Sequence, residues 1–75
     1  MKQTWRLTAV IEREADMYVS LCPELDIASQ GSSIEEAHAN LKEALGLFLQ
    51  SADQAEIASR LRSDLFVTSV EVLVG

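Results

Sequence analysis

Cys22-Pro23-Glu24-Leu25-Asp26-Ile27-Ala28-Ser29-Gln30-Gly31, followed at once by Ser32-Ser33-Ile34-Glu35-Glu36-Ala37, decides the fold of this chain. Pro23 has no amide proton to give a ladder, so it ends the strand that precedes it. Leu25 to Ser29 reads as a short strand, and Gly31 supplies the permissive backbone where the chain leaves that strand. Ser33 with Glu36 fits a capping box, in which the serine oxygen accepts from the third helical amide and the glutamate reaches back; Ser32 with Glu35 fits equally well. A helix therefore starts here.

Toward the N-terminus the pattern has a period of two. Trp5, Leu7, Ala9 and Ile11 alternate with mostly polar residues as a half-buried strand. Glu12 to Asp16 is a polar hairpin loop, and Met17, Val19 and Leu21 alternate with Tyr18, Ser20 and Cys22 as a second strand. Toward the C-terminus the period lengthens: Ile34, Ala37, Leu41, Ala44, Leu45, Phe48, Leu49 and Ala52 form one apolar stripe on a helix of roughly 18 residues. Residues 53 to 62 have helical composition, with Ile57 and Leu61 four apart, and read as a short second helix. Residues 65 to 74 are rich in β-branched side chains and read as a last strand.

The expected fold class is α+β, in one domain spanning residues 1–75: a three-stranded antiparallel meander, one main helix, a short second helix and a fourth strand, β-β-β-α-α-β. Two features do not suit a lone monomer. Leu47 shares a helix side with Glu36, Asn40 and Glu43, far round from the apolar stripe, and is expected to be exposed. The last strand carries Val70, Val72 and Val74 on one face and Leu73 on the other, whereas one helical layer covers only one face. Such a surface pairs with another chain, so a homo-oligomer, dimer or tetramer, is expected.

Composition bounds the function. Hydrophobic residues make up 48% and charged residues 24%, as in a folded globule. Twelve acidic against six basic side chains give a net charge of −6, which disfavours direct nucleic-acid binding, because phosphate contacts need Lys and Arg. The same charge steers the chain toward a basic protein surface. Cys22 is the one cysteine, so no intrachain disulfide forms. Met1-Lys2-Gln3-Thr4-Trp5 lacks a signal-peptide core, and no run approaches the roughly 18 apolar residues of a membrane span, so a cytoplasmic location is expected.

Chemistry is sparse. His38, the one histidine, falls at the edge of the apolar stripe with no nucleophile placed beside it, and reads as structural. Cys22 reads as a small buried hydrophobe, because a reactive thiolate wants positive neighbours and has Glu24 and Asp26 instead. Glu12, Glu24, Asp26 and Glu71 lie near expected strand ends, where a two-metal nuclease would gather carboxylates. No Asp sits inside the first strand, however, so neither metal nor cofactor is expected. Glu35, Glu36 and Glu43 form either a solvated helix face or an acidic docking surface.

Taken together, Tyr18, Pro23, Glu24, Leu25, Gly31, Ser33, Glu35, Glu36, Ala37, Asn40, Leu41, Glu43 and Ala44 resemble the signature of the HicB-like antitoxin family. The resemblance covers about residues 1 to 50 well. It implies a truncated ribonuclease H fold and a toxin-antitoxin role, in which the domain docks on a small basic toxin with a double-stranded-RNA-binding-like fold and masks its mRNA-cleaving histidine. Complete antitoxins of that family carry a C-terminal DNA-binding domain, which these residues do not include, so operator binding is not expected of them. The expected function is non-catalytic protein binding, with Glu35, Glu36, Glu43 and Leu47 as partner-binding residues and Val70, Val72, Leu73 and Val74 as an oligomer interface. The rival readings are a stand-alone regulatory or ligand-binding oligomer without a toxin, and a remnant nuclease.

Overall fold

A computed structural model describes residues 4–61 and 65–75. Three antiparallel strands, β1 (Val10–Glu14), β2 (Met17–Cys22) and β3 (Ile27–Gly31), are followed by α1 (Ile34–Ser51) and α2 (Gln54–Leu61), an α+β arrangement. The sheet order is β1-β2-β3, so β2 is central and β1 and β3 are edges.

The strand limits follow from Pro23. Val10 stands opposite Leu21, which would set Thr8 opposite Pro23 if the ladder continued. Pro23 offers no donor, and the Thr8 amide turns to the Glu24 carboxylate instead. The strand expected from Trp5 to Ile11 therefore begins only at Val10. Beyond Pro23 the turn runs to Asp26, whose φ of 55° lies in the left-handed region that Asp tolerates. This carries the third strand to Ile27–Gly31, two residues later than the expected Leu25–Ser29.

Helix α1 covers the face of β2 that bears Ser20 and Cys22. Both are fully buried, and the Ser20 hydroxyl donates to the Ala37 carbonyl at 2.9 Å. A small side chain with its own acceptor lets the helix backbone approach the sheet. Gly31 serves the same approach: the sequence offered it as permissive backbone where the chain leaves the strand, but its φ is not positive and what it supplies is room. A Cβ at Gly31 would lie 2.5 Å from the Ala37 nitrogen and 2.8 Å from the Glu36 carbonyl carbon. The core is Cys22, Leu25 and Leu41, with Leu7, Ile27, Leu45, Phe48 and Leu49 packed around it. Ile34, counted in the apolar stripe, is exposed.

Ser33 is the N-cap: its hydroxyl accepts from the Glu36 amide at 3.1 Å, and the Glu36 carboxylate accepts from the Ser32 amide at 2.8 Å. Asp53 caps α2 through the Glu56 amide at 2.8 Å. Helix α2 buries Ile57 and returns Arg60 to the turn, where its guanidinium donates to the Leu25 carbonyl and lies 4.8 Å from the centre of the Phe48 ring. Arg62, the end of the expected second helix, lies outside the described residues.

The fourth strand expected over residues 65–74 is not seen, and with three strands the likeness to a truncated ribonuclease H fold is not seen either. Residues 65–75 carry no ladder and are exposed throughout. A strand needs a neighbour to satisfy its amides, and this segment has none among the described residues. Its departure from the body shows in the radius of gyration, 14.6 Å against roughly 11 Å for a compact chain of this length.

Candidate functional site

The signature residues divide by what they touch. Glu24 fastens the segment before β1: both carboxylate oxygens accept from the Thr8 amide, at 3.0 and 3.1 Å, and one accepts from the Thr8 hydroxyl at 2.6 Å. Burial pushes this carboxyl up, but the hydrogen bonds from Thr8 outweigh it and hold the group below the ordinary glutamate value. The Cys22 thiol lies 3.5 Å from the same carboxylate. Burial first, and then Glu24, raises its pKa, which suits an inert core thiol. Sequence reasoning placed Glu24 in the signature and missed its role, because Thr8 lies sixteen residues away.

Asn40 is structural as well, with its amide donating to the Gln30 carbonyl at 2.7 Å. Tyr18 stands opposite Gly31 on the helix-facing side of the sheet. Ala37 and Leu41 are buried under α1, and Ser33 is its cap. Most of the signature is therefore spent on holding strand, turn and helix together.

Two surfaces remain, on opposite flanks of α1. Glu36, Asn40, Glu43 and Leu47 succeed one another at steps of four, three and four residues, so they line one side of the helix, toward β3. Glu35 lies about 110° round the helix from that line, on the side of Lys42 and Gly46. All five are exposed, and Leu47 retains 60% of its surface as the sequence led us to expect. Glu36 is partly committed to the cap and Asn40 to β3, which leaves Glu43 and Leu47 to present outward on this side.

The opposite flank, toward β1, is an open groove of about 500 Å³ between α1 and residues 5–9. Its walls are mainly Trp5, Leu7, Leu41, Leu45 and Leu49, with His38 and Lys42 at the rim and Gly46 in the helix wall. Sequence reading left this groove out, although Gly46 inside a helix was a signal for it. A Cβ at Gly46 would meet nothing within 4 Å, so the missing side chain leaves room that this chain does not fill.

Among the described residues no three His, Cys, Asp or Glu side chains gather as a metal site, and Glu24 is engaged with Thr8. The expected interface residues Val70, Val72, Leu73 and Val74 stand exposed in the C-terminal segment, with Leu73 at 99%. No helix among the described residues is long and apolar enough to cross a membrane.

Compared with known proteins, the chain is 37% identical over 75 residues to a UPF0150 protein of Synechocystis sp., a match covering 97% of this chain and 94% of that one. It is 34% identical over 67 residues to a UPF0150 protein of Helicobacter pylori, covering 88% of this chain and 93% of that one. The chain belongs to the UPF0150 family. No family profile and no solved structure matches it. The Synechocystis match, at 97% of this chain, extends over nearly its whole length.

Proposed function

We propose that this UPF0150 protein is a non-catalytic, HicB-like antitoxin: it binds a small basic mRNA-cleaving toxin and occludes its active site. The observation that carries the reading is the outward pair Glu43 and Leu47 on the β3 flank of α1, with Glu35 exposed on the same helix, in a chain of net charge −6. Carboxylates around one exposed leucine suit a basic partner that offers an apolar seat, with charge guiding the encounter and the leucine slowing release. The signature residues support kinship with the HicB-like family. The protein acts in the cytoplasm, binds no nucleic acid directly, and works as a homo-oligomer through its C-terminal segment.

The test is whether a basic protein of about 60 to 80 residues, with one histidine, is encoded beside this chain and binds it. Expected are a stable complex and loss of the partner's RNA cleavage on mixing. Replacing Glu43 and Leu47 together by Lys should weaken that complex at least tenfold, about 1.4 kcal/mol, at unchanged thermal stability. No such neighbour, or a complex indifferent to the pair, would sink the reading.

A second reading, a stand-alone oligomer with a regulatory or ligand-binding role, is favoured by the groove at Gly46. A remnant nuclease has less support, since Glu24 already holds Thr8 and Glu71 lies on the separate C-terminal segment.

A further inference from the structure

Two incomplete features of one chain complement each other. The first is the groove beside Gly46, between α1 and the segment that leads into β1, an edge strand with no neighbour on its outer side among the described residues. The second is the segment 65–75, an exposed apolar stretch with no ladder. We infer that the groove of each copy is filled by residues 65–75 of a second copy, which lie along the β1 edge as a fourth strand. The exchange is reciprocal. This deepens the oligomeric part of the proposed function and is independent of the toxin.

Two observations favour this occupant. The segment presents seven large apolar side chains from Leu65 to Val74, all exposed. Burying such side chains removes on the order of 500 Å² per segment, and the groove lining loses a smaller area, so a reciprocal exchange buries roughly 1,300 Å² in all. That lies near the lower end of the range, about 1,200–2,000 Å², of stable specific interfaces. Charge does not oppose it: Glu71, the segment's one charged side chain, falls on the face of Leu73 and stays out of a groove whose rim carries Lys42 and His38. Finally, Gly46 gives up helix propensity and leaves open space at the wall, as suits a position where another backbone passes close.

The alternation of the segment matches the site. Val70, Val72 and Val74 fall on one face and turn into the groove, while Leu73 falls on the other. That other face continues the uncovered side of the sheet, where Val10, Leu21 and Ala28 stand in register across the three strands and are all exposed.

Two variants separate exchange from a strand folded back within its own chain. Val72→Lys spoils the segment as donor, and Gly46→Trp fills the groove as acceptor, with its Cβ entering open space. Light scattering should give the parent a multiple of the 8.3 kDa chain mass and each variant alone the single mass. An equimolar mixture of the variants should recover a dimer, because the intact segment of one enters the intact groove of the other. A monomeric parent, or a mixture that stays monomeric while circular dichroism shows both variants folded, would overturn the inference. If Gly46→Trp does not fold, a Cys22→Ala, Gly46→Cys, Val72→Cys chain serves in its place: oxidation should yield covalent dimers on a non-reducing gel, and an intrachain disulfide would refute exchange. Weak toxin binding would leave these masses unchanged, so failure of the antitoxin reading and failure of exchange are told apart.

Discussion

Single residues carry the family signature, and their side chains show why. Glu24 is the tie between the turn and the segment before β1, and its acceptance of the Thr8 amide and hydroxyl sets a pH dependence. Because its carboxyl lies lower in the folded chain than in the unfolded one, ionisation contributes stability that is fully present above the unfolded value near pH 4.3 and is lost as pH falls through the folded value. Glu24→Gln should flatten this acid limb of a pH–stability curve. It should also cost about 1–2 kcal/mol at neutral pH by urea unfolding, with a charge-assisted bond replaced by a neutral one. Gly31 acts through steric room alone. A methyl group there meets the Ala37 nitrogen and Glu36 backbone, which cannot give way as a flexible side chain would. Gly31→Ala should therefore cost about 1–3 kcal/mol, measured as a lower urea midpoint at unchanged slope. Ala15 is the converse case, a non-glycine at φ 58° in the hairpin between β1 and β2. Ala15→Gly relieves a left-handed conformation and should raise stability by about 0.5–1 kcal/mol in the same assay.

At the scale of the elements, what was legible in the sequence was what is local. The period-two run of β2, the capping residues and stripe of α1, and the spacing of Ile57 and Leu61 in α2 each depend on neighbours a few positions away, and each element stands where those signals put it. What the sequence concealed depends on distant partners. The helix-facing side of β2 is the one with Ser20 and Cys22, although Val19 and Leu21 are the more hydrophobic pair, because Ser20 finds its acceptor in the Ala37 carbonyl. The shortened start of β1 follows from a proline thirteen residues beyond Val10 and from a carboxylate one residue further on. The candidate site divides in the same way. Exposure of Leu47 was readable from helical angle alone, whereas the groove needs Trp5 and Leu7 brought against α1 by the tie at Glu24. Ser33→Ala removes the acceptor for the Glu36 amide and should cost about 1 kcal/mol, detectable as a lower melting temperature with little change in the folded circular dichroism spectrum.

For the whole molecule the question is how a chain this short holds together with a groove open on one flank. A domain of 75 residues buries little more than about 60% of its unfolded surface, so an open groove of about 500 Å³ and eleven exposed, mostly apolar residues are a large fraction of what it has to bury. Left unfilled, both would favour aggregation through the free edge of β1. The core itself does not need the segment, since Cys22, Leu25 and Leu41 are fully buried without it. A chain ended after residue 64 should accordingly keep its far-ultraviolet spectrum and α1. Without the exchanged strand its groove should bind an apolar dye such as anilinonaphthalene sulfonate, which the parent, with filled grooves, should not. Adding a synthetic peptide of residues 65–75 should displace the dye and raise the melting temperature of the shortened chain in a concentration-dependent way, as ligand linkage requires. If the shortened chain binds no dye and does not respond to the peptide, the groove is not the seat of the segment. If it unfolds, the segment contributes to the core in a way that its full exposure contradicts.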